Sequence, residues 1–274
     1  MNAIDPYRTT DQLNEELLAV IVNRLEARGA HPFFQNVLRE YLDAMHIDTA
    51  HRVLDIGCGT GVATRVIARR PQFSGKVTGI DLSPNLARTA ERLATEEGLS
   101  ARVEFHAGDT QSLDFPEGAF DAVVAHTLVS HVTEPLAVLK EAARVVKPGG
   151  LIGLFDGDYA SITFALADPE QGKHFDEKLI SAIVTSPYVM RMMPRLIREA
   201  RLEMLQSFSY IMAEVGRADF WLSAIESFRR LAPQSGAMTE EEAEGWIASL
   251  KQAADEGVFF GSSNFYTYIA RRPA

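Results

Sequence analysis

The sequence predicts an α/β fold, doubly wound around a mostly parallel sheet, and three observations carry that expectation. Short apolar runs alternate with segments of helical spacing from about residue 51 to residue 155, the pattern of successive βαβ units. Val53-Leu54-Asp55-Ile56 leads into Gly57-Cys58-Gly59-Thr60-Gly61, three glycines at alternate positions. Lys76-Val77-Thr78-Gly79-Ile80 then ends in a carboxylate, Asp81. Glycine permits a tight turn with φ > 0 and leaves no Cβ between backbone and ligand. Such a loop feeds a helix N-terminus that favours an anionic group. An acid closing the second strand is where a doubly wound sheet grips the hydroxyls of a ribose.

The elements follow in order. Residues 1–50 read as helical: Asp11 to Val22 carries an apolar face with Thr10 or Asp11 as cap, and His31-Pro32 opens a second helix reaching Met45. Strands are expected at 51–56, 76–80, 102–107, 120–125 and 151–155, with helices at 61–70, from Ser83-Pro84, and at 134–146. Lys147-Pro148-Gly149-Gly150 reads as a helix stop and a turn into the fifth strand. Beyond Tyr159 the pattern loosens. Two helices are expected within 168–200, divided at Ser186-Pro187; a sixth strand at 203–214; a helical stretch at 217–256; and a last strand from Val258 to Arg271. Thr239 with Glu242 three residues on is a capping box. Short connections in the alternating half place the site at the strand C-termini.

Two cofactor classes use a glycine loop of this kind, and spacing separates them. The dinucleotide fingerprint is G-x-G-x-x-G, whereas the third glycine here arrives one residue early, at Gly61, and Val62 holds the dinucleotide position. Asp55 inside the strand end suits a ligand with an ammonium group. The stretch is similar to the loop of class I S-adenosylmethionine-dependent methyltransferases, and the likeness is tight over 51–155 and loose elsewhere. It resembles in particular the small-molecule, quinone-biosynthesis-like (type 11) branch, through His131 in Leu128-Val129-Ser130-His131-Val132.

That resemblance implies a Rossmann-like sheet of seven strands with the last one antiparallel. It implies an N-terminal helical cover, 1–50, and a methyltransferase domain, 51–274, with helical insertions at about 157–200 and 215–257 forming a lid. It also implies the cofactor S-adenosylmethionine, with Asp55, Gly57, Cys58, Gly59 and Gly61 around the methionine end, Asp81 on the ribose and Leu82 against the adenine. Gly108, Asp109 and Thr110 would form the adenine-side turn, and His126 would line the cofactor through its backbone. In related enzymes a tyrosine near the start reaches the site, the place of Tyr7 here. A sulfonium is already an activated methyl donor, so alignment supplies most of the rate. A base matters for a hydroxyl acceptor, and His126 and His131 are the candidate catalytic residues near the strand C-termini. Asp156 and Asp158 could hold a polar acceptor or cap the next segment, and no metal spacing appears around His174 and Asp176.

An apolar acceptor pocket is expected from Phe155, Tyr159, Phe164, Tyr188, Met190, Met192, Met193, Phe220 and Trp221. Over the 274 residues, net charge −10 argues against nucleic acid as the main partner. One cysteine, Cys58, excludes an internal disulfide and a cysteine metal cluster. Asp5, Asp11, Glu15 and Glu16 do not read as a signal peptide, and no window reaches the ~20 apolar residues of a membrane span. The expectation is a cytoplasmic enzyme that methylates a small, fairly apolar metabolite at O, N or C, with homodimerisation left open. The alternatives are a protein of this fold that binds the cofactor without methyl transfer and an NAD-dependent oxidoreductase.

Overall fold

A computed structural model describes residues 5–274. Its central sheet has seven strands in the order β3-β2-β1-β4-β5-β7-β6. They are β1 (Arg52–Ile56), β2 (Lys76–Asp81), β3 (Val103–Ala107), β4 (Phe120–His126), β5 (Val146–Phe164), β6 (Glu203–Gly216) and β7 (Phe259–Arg271). Neighbours from β3 to β5 are parallel; β7 runs antiparallel to both β5 and β6. Strand order reverses at β1, with β2 on one side and β4 on the other, which opens a crevice at their C-terminal ends.

The helices are α1 (Glu15–Ala30), α2 (Pro32–Ala44), α3 (Val62–Arg69), α4 (Pro84–Glu96), α5 (Pro135–Val145), α6 (Pro169–Ile183), α7 (Val189–Glu199), α8 (Phe220–Leu231) and α9 (Glu240–Asp255). One core includes Tyr41, Phe155, Phe164, Trp221 and Trp246; a second joins α5 and α7 to Leu54, Val123 and Leu154 of the sheet. Ile21 of α1, Leu86 of α4 and Leu231 of α8 form a small third cluster. Among the described residues no helix is long and apolar enough to cross a membrane.

Local chemistry explains the element ends. Ser83 accepts from the Leu86 amide with Pro84 in the first turn, and Thr239 with Glu242 makes the expected capping box. Helix α1 starts later than expected: its cap is Asn14, whose side chain accepts from Leu17 N. Lys147–Gly150 is not a loop before the fifth strand. Val146 already pairs with Phe120, a register shift absorbs the next residues, and Gly149 at φ 79° donates to Arg272 O. The strand also runs on to Phe164, paired with β7 up to Asp158 and again at Thr163 and Phe164 across an irregularity between them, so the first insertion begins with strand rather than helix.

Helix α7 corrects a further expectation. Val189, Met190, Met193 and Ile197 are buried in the second core, and Met190 O accepts from the Tyr268 hydroxyl at 3.0 Å. Tyr188 and Met192 are exposed. Helical spacing puts Met190 and Met193 on an ordinary core face, and none of Met190, Met192 and Met193 lines the crevice.

Candidate active site

The glycine loop is fastened to the second strand. Gly57 N and Cys58 N both donate to Ile80 O, at 2.8 and 3.0 Å, and Gly59 N donates to Asp81 Oδ2 at 2.8 Å. All three glycines have φ between 55° and 80°, which only glycine adopts without strain. They differ in what a Cβ would meet. At Gly57 it would lie 2.5 Å from Leu128 Cδ1; at Gly61, 2.9 Å from the Phe105 ring; at Gly59, 3.2 Å from Leu25 of α1. Gly61 thus serves packing against β3 and α4, while Gly59 lines the crevice.

Asp55 does two jobs from the end of β1. Its Oδ2 accepts from Thr64 N at 3.0 Å and Thr64 Oγ1 at 2.6 Å, so it caps α3, whose own N-cap, Gly61, has no side chain. Its Oδ1 is buried and has no partner. Burial pushes this carboxyl up to about 7 against the opposing pull of Thr64. An orphaned buried acceptor facing a cavity fits the ammonium group of a bound amino acid moiety. Asp81 Oδ1 accepts from Ser83 N at 2.9 Å, which sets its carboxylate at the mouth of the loop.

Helix α1 closes one wall. Its seat on α3 is fixed by buried Arg65, which pairs with Glu26 of α1 and Glu97 beyond α4, and by Gly29, where a Cβ would meet Val62 at 2.6 Å. This places Arg24, Leu25 and Arg28 over the loop. Arg28 donates to Thr127 Oγ1. Thr127 holds φ 61°, rare for a threonine, directly after β4.

The two histidines have different settings. His126 Nδ1 is 3.0 Å from the Tyr41 hydroxyl and its ring stacks on Phe155 at 4.8 Å; burial and the Arg28 charge push it down to about 3. His131 Nδ1 is 2.8 Å from Asp5 Oδ2. Burial alone would lower this imidazole, but the Asp5 carboxylate, and more weakly Asp156, turn the net shift upward. Tyr7 lies against the ring at 4.9 Å and Tyr159 at 6.0 Å. Asp5 also accepts from Thr185 N and Oγ1, both at 3.1 Å, tying the N-terminal segment to the loop between α6 and α7.

One cavity gathers Asp55, Gly57, Cys58, Gly59, Asp81, His126 and His131, with Tyr7, Tyr159, Phe220 and Trp221 from the surrounding segments. Cys58 is buried there, and burial raises its thiol well above the usual range. Leu82, Gly108, Asp109 and Thr110 lie outside the cavity wall. Asp109 Oδ1 accepts from Gln111 N at 2.8 Å within its own turn, and Leu82 is exposed. Asp156 Oδ2 accepts from Ser130 N at 3.0 Å, Asp158 pairs with Arg191 at 2.9 Å, and Asp176 accepts from Phe164 N. All three are structural, and no metal-binding cluster occurs among the described residues.

The sequence reading missed Asp5, Arg24 and Arg28. Asp5 meets His131 through a contact spanning 126 positions, which no local pattern signals. The arginines lie beyond the apolar face read over Asp11 to Val22, and no motif in the sequence marks them.

The family described as a methyltransferase domain matches residues 53–150. The chain is 27% identical over 252 residues to an uncharacterised 37.1 kDa protein in a transposon of Streptomyces fradiae, covering 91% of this chain and 70% of that one. It is 31% identical over 157 residues to a ubiquinone biosynthesis O-methyltransferase of Xanthomonas axonopodis pv. citri, and the match spans 57% of each. Against that curated enzyme the likeness therefore covers just over half of its length. The fold is similar to that of the cyclase SpnF, with TM-score 0.62 at 19% identity over the whole of both chains. By its glycine loop, its strand order and these matches, residues 53–150 form a methyltransferase domain similar to those of the class I S-adenosylmethionine-dependent methyltransferases.

Proposed function

We propose that this protein transfers a methyl group from S-adenosylmethionine to a small, fairly apolar metabolite bound under α1 and α8. The observation that supports this most directly is the unpartnered Oδ1 of Asp55, buried in the same cavity as Gly57, Gly59 and Asp81. In this reading Asp55 holds the ammonium group, Asp81 the ribose hydroxyls, and the glycine loop with Cys58 and the His126 backbone the methionine end. Leu82, Gly108, Asp109 and Thr110 are the residues assigned to the adenine, by resemblance rather than by cavity contact.

When bound, S-adenosylmethionine supplies a methyl group activated by its sulfonium. The chain's part is to align the acceptor, exclude water and move a proton. His131 is the proton acceptor for a hydroxyl nucleophile: with Nδ1–H donating to Asp5, its Nε2 carries the lone pair that would take the acceptor's hydroxyl proton. His126, pushed down to about 3, stays neutral and shapes the wall. Water exclusion falls to the insertions, 157–200 through Tyr159, Ile162 and Ile183 and 215–257 through Phe220, Trp221 and Phe228.

Calorimetry with S-adenosylmethionine against NAD tests the cofactor, and metabolite extracts with a labelled methyl donor test transfer. Binding of S-adenosylmethionine with label in a small molecule is the expected result. Cofactor binding without any label transfer would leave a protein that uses the fold for other chemistry, and NAD binding alone would overturn the reading.

A further inference from the structure

Helix α1 presents two cations to the cavity one turn apart, Arg24 and Arg28. Arg28 has Thr127 as partner. Arg24 is buried, its guanidinium 4.4 Å above the Phe220 ring. Among the described residues it makes no ion pair and no hydrogen bond, and its Nη1 is buried without a partner. Burial draws it down to about 10, so it remains charged at neutral pH. A buried cation with no counter-charge is costly to keep.

A second donor on the same wall is in the same state. Trp221, next to Phe220 on α8, lines the cavity, and its Nε1 is buried with no acceptor. Both orphans are donors, and both would be satisfied by oxygen. The cofactor brings one carboxylate, at its methionine end. Arg28 is the arginine tied to that end, because Thr127 precedes Leu128, which packs against Gly57. Arg24 stands instead over Phe220, within electrostatic reach of Tyr7, in the cavity that Trp221 also lines.

We propose that Arg24, with the indole N–H of Trp221, seats an oxyanion carried by the methyl acceptor, a carboxylate or a phosphate. The substrate class is then an amphipathic acid whose apolar body lies on the aromatic wall. The inference rests on the methyl-transfer reading only for where the cofactor sits.

The test uses full-length protein saturated with S-adenosylhomocysteine, titrated with benzoate, phenyl phosphate and the neutral benzamide. An anionic probe should bind at least about tenfold more tightly than benzamide, the worth of one charge-assisted pair. Whichever anion is preferred identifies the oxyanion. Arg24→Gln should abolish the preference, Arg24→Lys should restore part of it, and S-adenosylhomocysteine affinity should move by less than about threefold in either variant. No preference for either anion, or no binding of either, overturns the proposal. So does a tenfold loss of S-adenosylhomocysteine affinity in a folded Arg24→Gln protein, which would give Arg24 to the cofactor carboxylate. Failure of S-adenosylhomocysteine to bind the parent protein would count against the proposed function instead, and the same three probes on unloaded protein would still decide Arg24.

Discussion

Nδ1 of His131 and Oδ2 of Asp5 lie 2.8 Å apart, joining the N-terminal segment to the turn after β4 across 126 positions of chain. The same Asp5 carboxylate takes the Thr185 amide and hydroxyl, so one side chain fixes the imidazole and ties the N-terminal segment to the loop between α6 and α7. The raised imidazole pKa has a defined consequence for stability. The pair contributes fully below the ordinary histidine value of about 6.5, and that contribution is lost as pH rises through the raised value. Asp5→Asn should therefore destabilise the protein by about 1–3 kcal/mol at pH ~6 and by less at pH ~9. An NMR titration of the His131 ring should show its pKa fall in the variant. Denaturation curves that shift equally at both pH values would remove the charge pairing from this account.

Asp55 gives a pH dependence of the opposite sense, in binding rather than stability. With its carboxyl pushed up to about 7, the ligand-free site is largely protonated in mild acid. A cationic group beside Oδ1 favours the ionised form, so binding S-adenosylmethionine should release a proton. Affinity should rise about tenfold per pH unit up to roughly pH 7 and then flatten. Calorimetry in two buffers of different ionisation enthalpy counts the proton directly. Asp55→Asn should flatten the profile, and a profile already flat in the parent protein would exclude Asp55 as the ammonium partner.

Asp81 is tied into the loop it serves. Because Oδ2 accepts from Gly59 N and Oδ1 from Ser83 N, Asp81→Ala removes the ribose grip and also releases two backbone donors. Losing charge-assisted bonds worth roughly 1.5–3 kcal/mol each should weaken S-adenosylmethionine binding at least about a hundredfold. A small fall in melting temperature should accompany it. Unchanged affinity by calorimetry would end the ribose assignment.

These predictions draw unequally on what could be read from the chain. Strands β1 to β4 and their helices were legible within a residue or two, because β1, β2 and β4 are buried parallel strands with largely apolar runs, the edge strand β3 alternates Val103 and Phe105 with polar residues, and each turn carries its own glycine, proline or cap. Asp55 and Asp81 were legible because the loop fixes their positions relative to its glycines. The extension of β5 was not, since Gly157, Asp158 and Ser161 are poor strand formers held there by β7. Met190 and Met193 point into a core that the same spacing on any helix would suit. Arg24 and Asp5 acquire meaning only from partners brought in by the tertiary fold.

The last prediction concerns Trp221 and the division of labour between sheet and insertions. Trp221 is the second residue of α8, and the amides of the cap Asp219, of Phe220 and of Trp221 all donate to the Glu214 carboxylate of β6. Its ring packs edge-on against Phe164 and Phe220, both at 5.2 Å, within the main core. Trp221→Ala would cost about 3–5 kcal/mol by leaving a cavity, so its effects on turnover would be mixed with unfolding. Trp221→Phe keeps most of the packing and removes the indole N–H. Apart from Arg28 of α1, every cofactor residue assigned above comes from β1 to β4 and the turns after them, and none comes from α8. Trp221→Phe should therefore change S-adenosylmethionine affinity by less than about threefold, under roughly 0.7 kcal/mol, while raising the acceptor KM. Calorimetry with the cofactor alone separates the two effects before any acceptor is known. A tenfold loss of cofactor binding in folded Trp221→Phe would assign α8 to the cofactor site and leave the acceptor pocket to be sought elsewhere.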